Sequence, residues 1–186
     1  YNVGYTVVGN PTIVDGVVSG LSASDYLQVA PVTDTIQATY KTKFEIQVRI
    51  ITPSVLANGQ LIYYAHKGTR SGLFMANTGK LVWYIHSPSF VLETDVVLSP
   101  NENIFIKGVI ENGLAELFKS SDGVSWTSIG TLDITDIPAD DYTNQYNVRI
   151  GVNGATAVGD VFTGSIVLPD THIKTNGLPW FRGTAA

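Results

Sequence analysis

Apolar and polar residues alternate along much of this chain, and the alternation defines strands. From Lys43 to Ile51, Phe44, Ile46, Val48 and Ile50 point one way while Glu45, Gln47 and Arg49 point the other. A period of two gives a strand with one dry and one wet face. Leu61 to His66 and Leu81 to His86 repeat the pattern, with Leu61, Tyr63, Ala65 and then Leu81, Trp83, Ile85 on the dry side. Tyr146, Val148, Ile150 and Val152 form a further dry row. Asn103 to Glu111 and Leu114 to Ser120 flank Asn112-Gly113, a pair suited to the left-handed conformations of a type I′ hairpin. Asp122-Gly123 turns the chain again into Ser125 to Ile129, which makes an antiparallel meander. Asn77-Thr78-Gly79 marks another turn, and Phe162 to Leu168 and His172 to Thr175 close the chain. A short helix is expected only near Asp133 to Asp141, where Pro138 limits it to about one turn. Trp83 and Trp126 are expected in the core, the latter beneath the Asp122-Gly123 turn.

Composition agrees. Charged residues are 15 % of the 186, against about 25 % in average domains, so the charged wet faces of long helices are missing. The turn signals recur about every ten residues without linker or repeat, the spacing of a sandwich or barrel. One all-β domain over 1–186 is expected, an antiparallel two-sheet jelly-roll sandwich. The net charge of −5 gives no electrostatic reason to bind nucleic acid or an anionic membrane. No apolar run is long enough to span a bilayer. The first residue is Tyr1 rather than Met, and a piece of a longer protein is expected. The absence of cysteine removes disulfides, thiolate metal sites and thiol nucleophiles.

The early "GNPTIVDGVVSGLSASDYLQV", the central "FEIQVRI", the meander "NIFIKGVIENGLAELFKSSDGVSW" and the closing "FTGSIVLPDTHIKTNGLPWFRG" together resemble concanavalin A-like lectin and laminin-G-like jelly rolls. The closing pattern of Gly164, Ser165, Ile166, Leu168, Ile173, Asn176, Gly177 and Trp180 is similar to modules of bacteriophage tail fibres and virion adhesion proteins. The resemblance implies a lectin-like module on a virion surface or otherwise extracellular. Its implied partners are a cell-surface glycan and other virion subunits, in a homo-oligomeric, trimeric parent. It names no sugar.

Catalytic patterns are tested and set aside. Hydrolases of this fold place three acids on one strand, where alternation brings them to one face. Here only Glu93-Thr94-Asp95 approaches that pattern, and Val97 and Leu98 stand where the third acid belongs. No G-x-S-x-G elbow and no phosphate-binding glycine loop occurs. His66, His86 and His172 lack the close spacing of a zinc site, although His66 and His86 would meet if their strands were neighbours. Ser120 to Trp126 is near the Asp-box turn of sialidases but one residue short. No cofactor is expected. Calcium is the one alternative, because Asp133, Asp136, Asp140, Asp141 and Asn144 cluster in one segment; no D-x-[DN]-x-[DN]-G order is present, and a solvated acidic loop is the favoured reading.

A non-catalytic carbohydrate- or receptor-binding module is therefore expected, with a ligand-free structural virion domain as the alternative. The candidate ligand-binding residues are the wet-face residues Gln47, Arg49, Tyr64, His66, Tyr84, His86, Asn147 and Arg149, beside Glu45. If their strands share one sheet, these rings and donors converge on one patch suited to a sugar's apolar face and hydroxyl rim. The competing reading is an ordinary wet face, and the rival site is the loop around Asp140, Asp141, Tyr142 and Asn144.

Overall fold

The structure, a computed structural model, describes residues 5–31, 43–57, 59–67, 69–86, 90–137, 147–152, 161–175 and 178–183; the side chains of 30–31, 61, 63–67, 69–71, 86, 147, 175 and 178–182 are placed only by their backbone. Its strands are β1 (Tyr5–Val8), β2 (Thr12–Val14), β3 (Val17–Ser19), β4 (Tyr26–Pro31), β5 (Lys43–Ile51), β6 (Gln60–Lys67), β7 (Thr69–Met75) and β8 (Lys80–His86). There follow β9 (Phe90–Val97), β10 (Asn103–Glu111), β11 (Leu114–Ser120), β12 (Thr127–Asp133), β13 (Asn147–Ile150), β14 (Ser165–Thr175) and β15 (Leu178–Arg182). No helix occurs among the described residues; Asp133 to Ile137 forms a turn, and residues 138–141 of the expected helical turn lie outside them.

Two antiparallel sheets make the sandwich. One has seven strands in the order β1-β4-β13-β6-β7-β8-β9; the other has eight, β12-β11-β10-β5-β14-β3-β2, with β15 beside β14. The alternating residues meet between them: Phe44, Ile46, Val48 and Ile50 from one sheet, and Leu81, Trp83, Ile85, Val148 and Ile150 from the other, are all buried. The Trp83 ring lies against Gly108 of the opposite sheet, where a Cβ would stand 3.0 Å from two of its ring atoms. An inward-facing position on β10 is glycine because this ring fills its space. The Trp83 Nε1 is buried without a hydrogen-bond partner, a cost accepted for filling the core with the largest side chain.

The hairpin reading holds: Asn112 and Gly113 have φ of 53° and 78°, and β10 pairs β11 from Phe105–Ser120 to Glu111–Leu114. Strand β7 was not read from the sequence, and it lies between the two strands that carry His66 and His86. On β6 the register shifts between Leu61 and Tyr63, so Leu61 falls opposite Phe74 and Tyr63 opposite Leu73. The register partner of Leu61, Phe74, sits between the buried Leu73 and Met75 and is half-buried.

Trp126 is a correction. It is half-buried on the outer face of the eight-stranded sheet rather than in the core. The reason is parity. Ile129 is buried and Ser128 lies opposite the outward Phe118, so two steps back from Ser128 also face out.

Candidate binding faces of the sandwich

The expected patch is divided between two faces. Gln47 and Arg49, with Glu45, lie on β5 in the eight-stranded sheet; Tyr64, His66, Tyr84, His86, Asn147 and Arg149 lie on β6, β8 and β13 in the seven-stranded sheet. The condition of one shared sheet fails, because β5 sits between β10 and β14. Nor do His66 and His86 meet directly: the register sets His66 opposite Arg70 of β7 and His86 opposite Phe90 of β9.

On the eight-stranded sheet the outward side chains bind one another. Arg49 donates from Nη1 to Asp170 and from Nε to Asn103, both at 3.0 Å, and its guanidinium lies 5.0 Å from the Phe105 ring centre. Gln47 donates to the Asp170 carbonyl at 3.4 Å. Glu45 accepts from His172 Nε2 at 2.9 Å and from Lys174 Nζ at 2.7 Å. The His172 hydrogen bond, with the Lys174 charge beside it, holds the Glu45 carboxyl down at about 2 against the desolvation that opposes this.

Beside this network is an aromatic cluster. Trp126 meets Phe105 edge to face at 6.5 Å, and Lys107 Nζ sits 4.1 Å from the Trp126 ring centre and 5.1 Å from that of Phe118. Desolvation by these surroundings pulls the Lys107 ammonium below the usual lysine range. The loop that delivers Trp126 is pinned by Asp122, which accepts from the backbone N–H groups of Val124 at 2.8 Å and Ser125 at 2.7 Å and from the Ser120 hydroxyl at 2.8 Å. These bonds favour the Asp122 carboxylate and hold its carboxyl well below the usual range. Gly123, at φ +74°, lies over Phe105, where a Cβ would stand 3.0 Å from the ring. The cluster is a satellite core fastening this loop, with Arg49 set over Phe105 and Lys107 over Phe118 and Trp126.

The seven-stranded sheet is built differently. Its register lines up one row across the strands: Gln28 opposite Arg149, Arg149 opposite Tyr64, Tyr64 opposite Gly72, Gly72 opposite Tyr84 and Tyr84 opposite Val91; Gln28, Arg149, Tyr84 and Val91 are half-buried and Gly72 is buried. The sequence positions between them, such as Leu27, Val29, Val148, Ile150, Leu73, Trp83 and Ile85, are buried. The Arg149 guanidinium is stacked 4.6 Å from the Tyr26 ring centre, and Tyr84 packs edge to face on Phe74 at 5.1 Å. Among the described residues, the Gln28 amide, the Arg149 guanidinium and the Tyr26 and Tyr84 hydroxyls have no hydrogen-bond partner from another side chain. Gly72 interrupts the row between two tyrosine positions and carries no side chain. Gln28, Tyr26 and Gly72 were not singled out from the sequence; only pairing with β13 and β6 marks them.

Two other expectations find their places. Glu93 and Asp95 are exposed on edge strand β9, Glu93 is paired with Lys80 at 3.1 Å, and Thr94 between them points into the core. Asp133 accepts from the Thr135 backbone and hydroxyl, at 2.9 and 2.7 Å, and so caps its own turn. No cluster able to hold a metal occurs among the described residues, and Asp140, Asp141, Tyr142 and Asn144 lie outside them.

No family model and no curated protein matches the chain. Solved structures do. The binding domain of botulinum neurotoxin DC in complex with SialylT has a TM-score of 0.68 and 14 % identity, over 93 % of this chain and 43 % of that one. The CBM40 of the Ruminococcus gnavus IT-sialidase bound to alpha2,3 sialyllactose has a TM-score of 0.55 and 20 % identity, over 76 % and 85 %. Trypanosoma rangeli sialidase in complex with sialic acid has a TM-score of 0.61 and 9 % identity, over 86 % and 26 %. The chain thus spans under half of the toxin domain and about a quarter of the sialidase. The topology and these likenesses together establish the fold as an antiparallel, two-sheet jelly-roll sandwich.

Proposed function

We propose that this chain is a non-catalytic glycan-binding module, and that the outer face of its seven-stranded sheet is the binding surface. The observation that carries the reading is the Gln28–Arg149–Tyr84 row, with amide, guanidinium and phenol groups that have no side-chain hydrogen-bond partner among the described residues. A sugar needs such groups: aromatic rings for its C–H face, and amide and guanidinium groups for its hydroxyl rim. The structural neighbours seen with SialylT, alpha2,3 sialyllactose and sialic acid support a carbohydrate ligand. Exposed Glu93 and Asp95, one tied to Lys80, give no pair of acids facing across a substrate.

The finer setting rests on the closing pattern from Gly164 to Trp180. That pattern supports a host-attachment module of a phage or virion fibre, on the virion surface or otherwise extracellular, within a homotrimeric parent. A glycan array of the chain tests the binding function: selective signals are expected, and silence across the array with a tight trimer in light scattering would favour a structural fibre domain instead. Glu93→Gln and Asp95→Asn are expected to leave every array signal in place, with no turnover of any polysaccharide before or after substitution.

A further inference from the structure

The cations of this molecule differ in what they face. Lys43, Arg49, Lys80 and Lys174 each sit against a carboxylate, at 2.9, 3.0, 3.1 and 2.7 Å from Glu111, Asp170, Glu93 and Glu45. Lys107 is held between two rings. Arg149, like Lys119, has no carboxylate within ion-pair distance among the described residues, and among them the Tyr26 ring lies against Arg149, at 4.6 Å. A guanidinium stacked on a ring is held in orientation while its N–H donors remain to be satisfied. Two parallel donors of that fork match the two oxygens of a carboxylate. Gln28, directly opposite Arg149 on β4, adds amide donors beside it.

The row continues away from Arg149 through Tyr64 and Gly72 to Tyr84. Tyr84 is three strand spacings from Arg149, about 14 Å, the reach of a short oligosaccharide rather than of one ring. The net charge of −5 repels a polyanion at long range. A single carboxylate on an otherwise neutral chain meets little of that repulsion and engages Arg149 at contact.

Building on the glycan-binding reading, we infer that Arg149 is the carboxylate receptor for an acidic oligosaccharide lying across the strands. Its carboxylate-bearing sugar sits at Gln28 and Arg149, and its neutral sugars extend across the strands toward Tyr84.

Calorimetric titration of the whole chain tests this with alpha2,3 sialyllactose, its carboxyl methyl ester, trigalacturonate, lactose and sulfated lactose. At least one of the two carboxylate ligands should bind about tenfold more tightly than lactose, a difference of about 1.4 kcal/mol, and esterification should remove the advantage. Arg149→Ala should reduce the acid's affinity to that of the neutral sugar without changing the melting temperature. Arg149→Lys should restore part of it, since an ammonium supplies charge without the fork. Gln28→Ala, which leaves the Tyr26 stack in place, should weaken the acid and spare lactose. Equal binding of acidic and neutral sugars overturns the inference and leaves the glycan-binding function standing. Tighter binding of sulfated lactose than of either carboxylate overturns it too, and assigns Arg149 to sulfate. Silence with these ligands and with the whole array overturns function and inference together.

Discussion

The two outer faces of this sandwich are made of the same residue types and behave oppositely. On the eight-stranded sheet, Gln47, Arg49, Asn103 and Asp170 are joined in one hydrogen-bonded group, and Glu45, His172 and Lys174 in a second. On the seven-stranded sheet, Arg149 stacks on Tyr26 and Tyr84 packs on Phe74, and the polar groups of Gln28, Arg149, Tyr26 and Tyr84 have no hydrogen-bond partner from another side chain among the described residues. A face whose donors and acceptors satisfy one another gains stability and offers a ligand little, because each new hydrogen bond must first break an old one. A face whose polar groups meet only water exchanges water for a ligand at small cost. Residue type alone therefore does not mark a site; the partners already present do.

The largest effects are expected where both faces share a wall. Trp83→Ala removes the ring that fills the space over Gly108 and should cost about 3–5 kcal/mol, read by chemical denaturation. Gly108→Ala pushes a methyl against the same ring and should cost about 1–3 kcal/mol. Near-native stability of both variants would mean that the sheets do not meet as described.

Smaller effects separate the faces. Trp126→Ala should lower stability by about 1–2 kcal/mol, since it removes a half-buried ring and an edge-to-face pair worth about 0.5–1.5 kcal/mol. A loss as large as that of Trp83→Ala would return Trp126 to the core. Glu45→Gln should cost about 1 kcal/mol near pH 7, roughly 2–4 °C in a chain of this size. The Glu45 carboxyl is held down at about 2 from an ordinary 4.5. Its contribution is therefore fully present above the unfolded value and is lost as pH falls through the folded one. Wild type and Glu45→Gln should converge in melting temperature as pH approaches 2, and a constant difference down to that pH would show that the carboxylate network is not the cause.

The strands with strict alternation were legible in the sequence. Phe44 to Ile50 and Leu81 to Ile85 declared their dry faces, and Asn112-Gly113 declared its hairpin, because period and turn chemistry are local properties. Trp126 was legible too and was misread: an odd count from Ile129 puts it on the wet side, where it packs beneath its turn against Phe105 rather than in the core. Strand β7, Thr69–Met75, escaped because Arg70, Ser71 and Gly72 dilute its apolar period. The division of the expected patch was not legible. Which strands share a sheet depends on crossovers such as β4 to β13 and β5 to β14, and no local pattern encodes those pairings. The same holds for Gln28 and Tyr26, which gain meaning only beside Arg149.

The most direct test of the open face is glycan binding by paired variants, with Arg149→Ala and Tyr84→Ala checked for an unchanged melting temperature as expected of half-exposed positions. A glycan selected by the array is titrated into Arg149→Ala and Tyr84→Ala, from the seven-stranded sheet, and into Arg49→Ala and Tyr142→Ala. The account predicts that the first two lose binding by about tenfold or more, of the order of 1.4 kcal/mol each, while the last two bind as wild type. Normal binding by Arg149→Ala and Tyr84→Ala, with loss in Arg49→Ala or Tyr142→Ala, would place the site on the opposite face or in the acidic loop and contradict it.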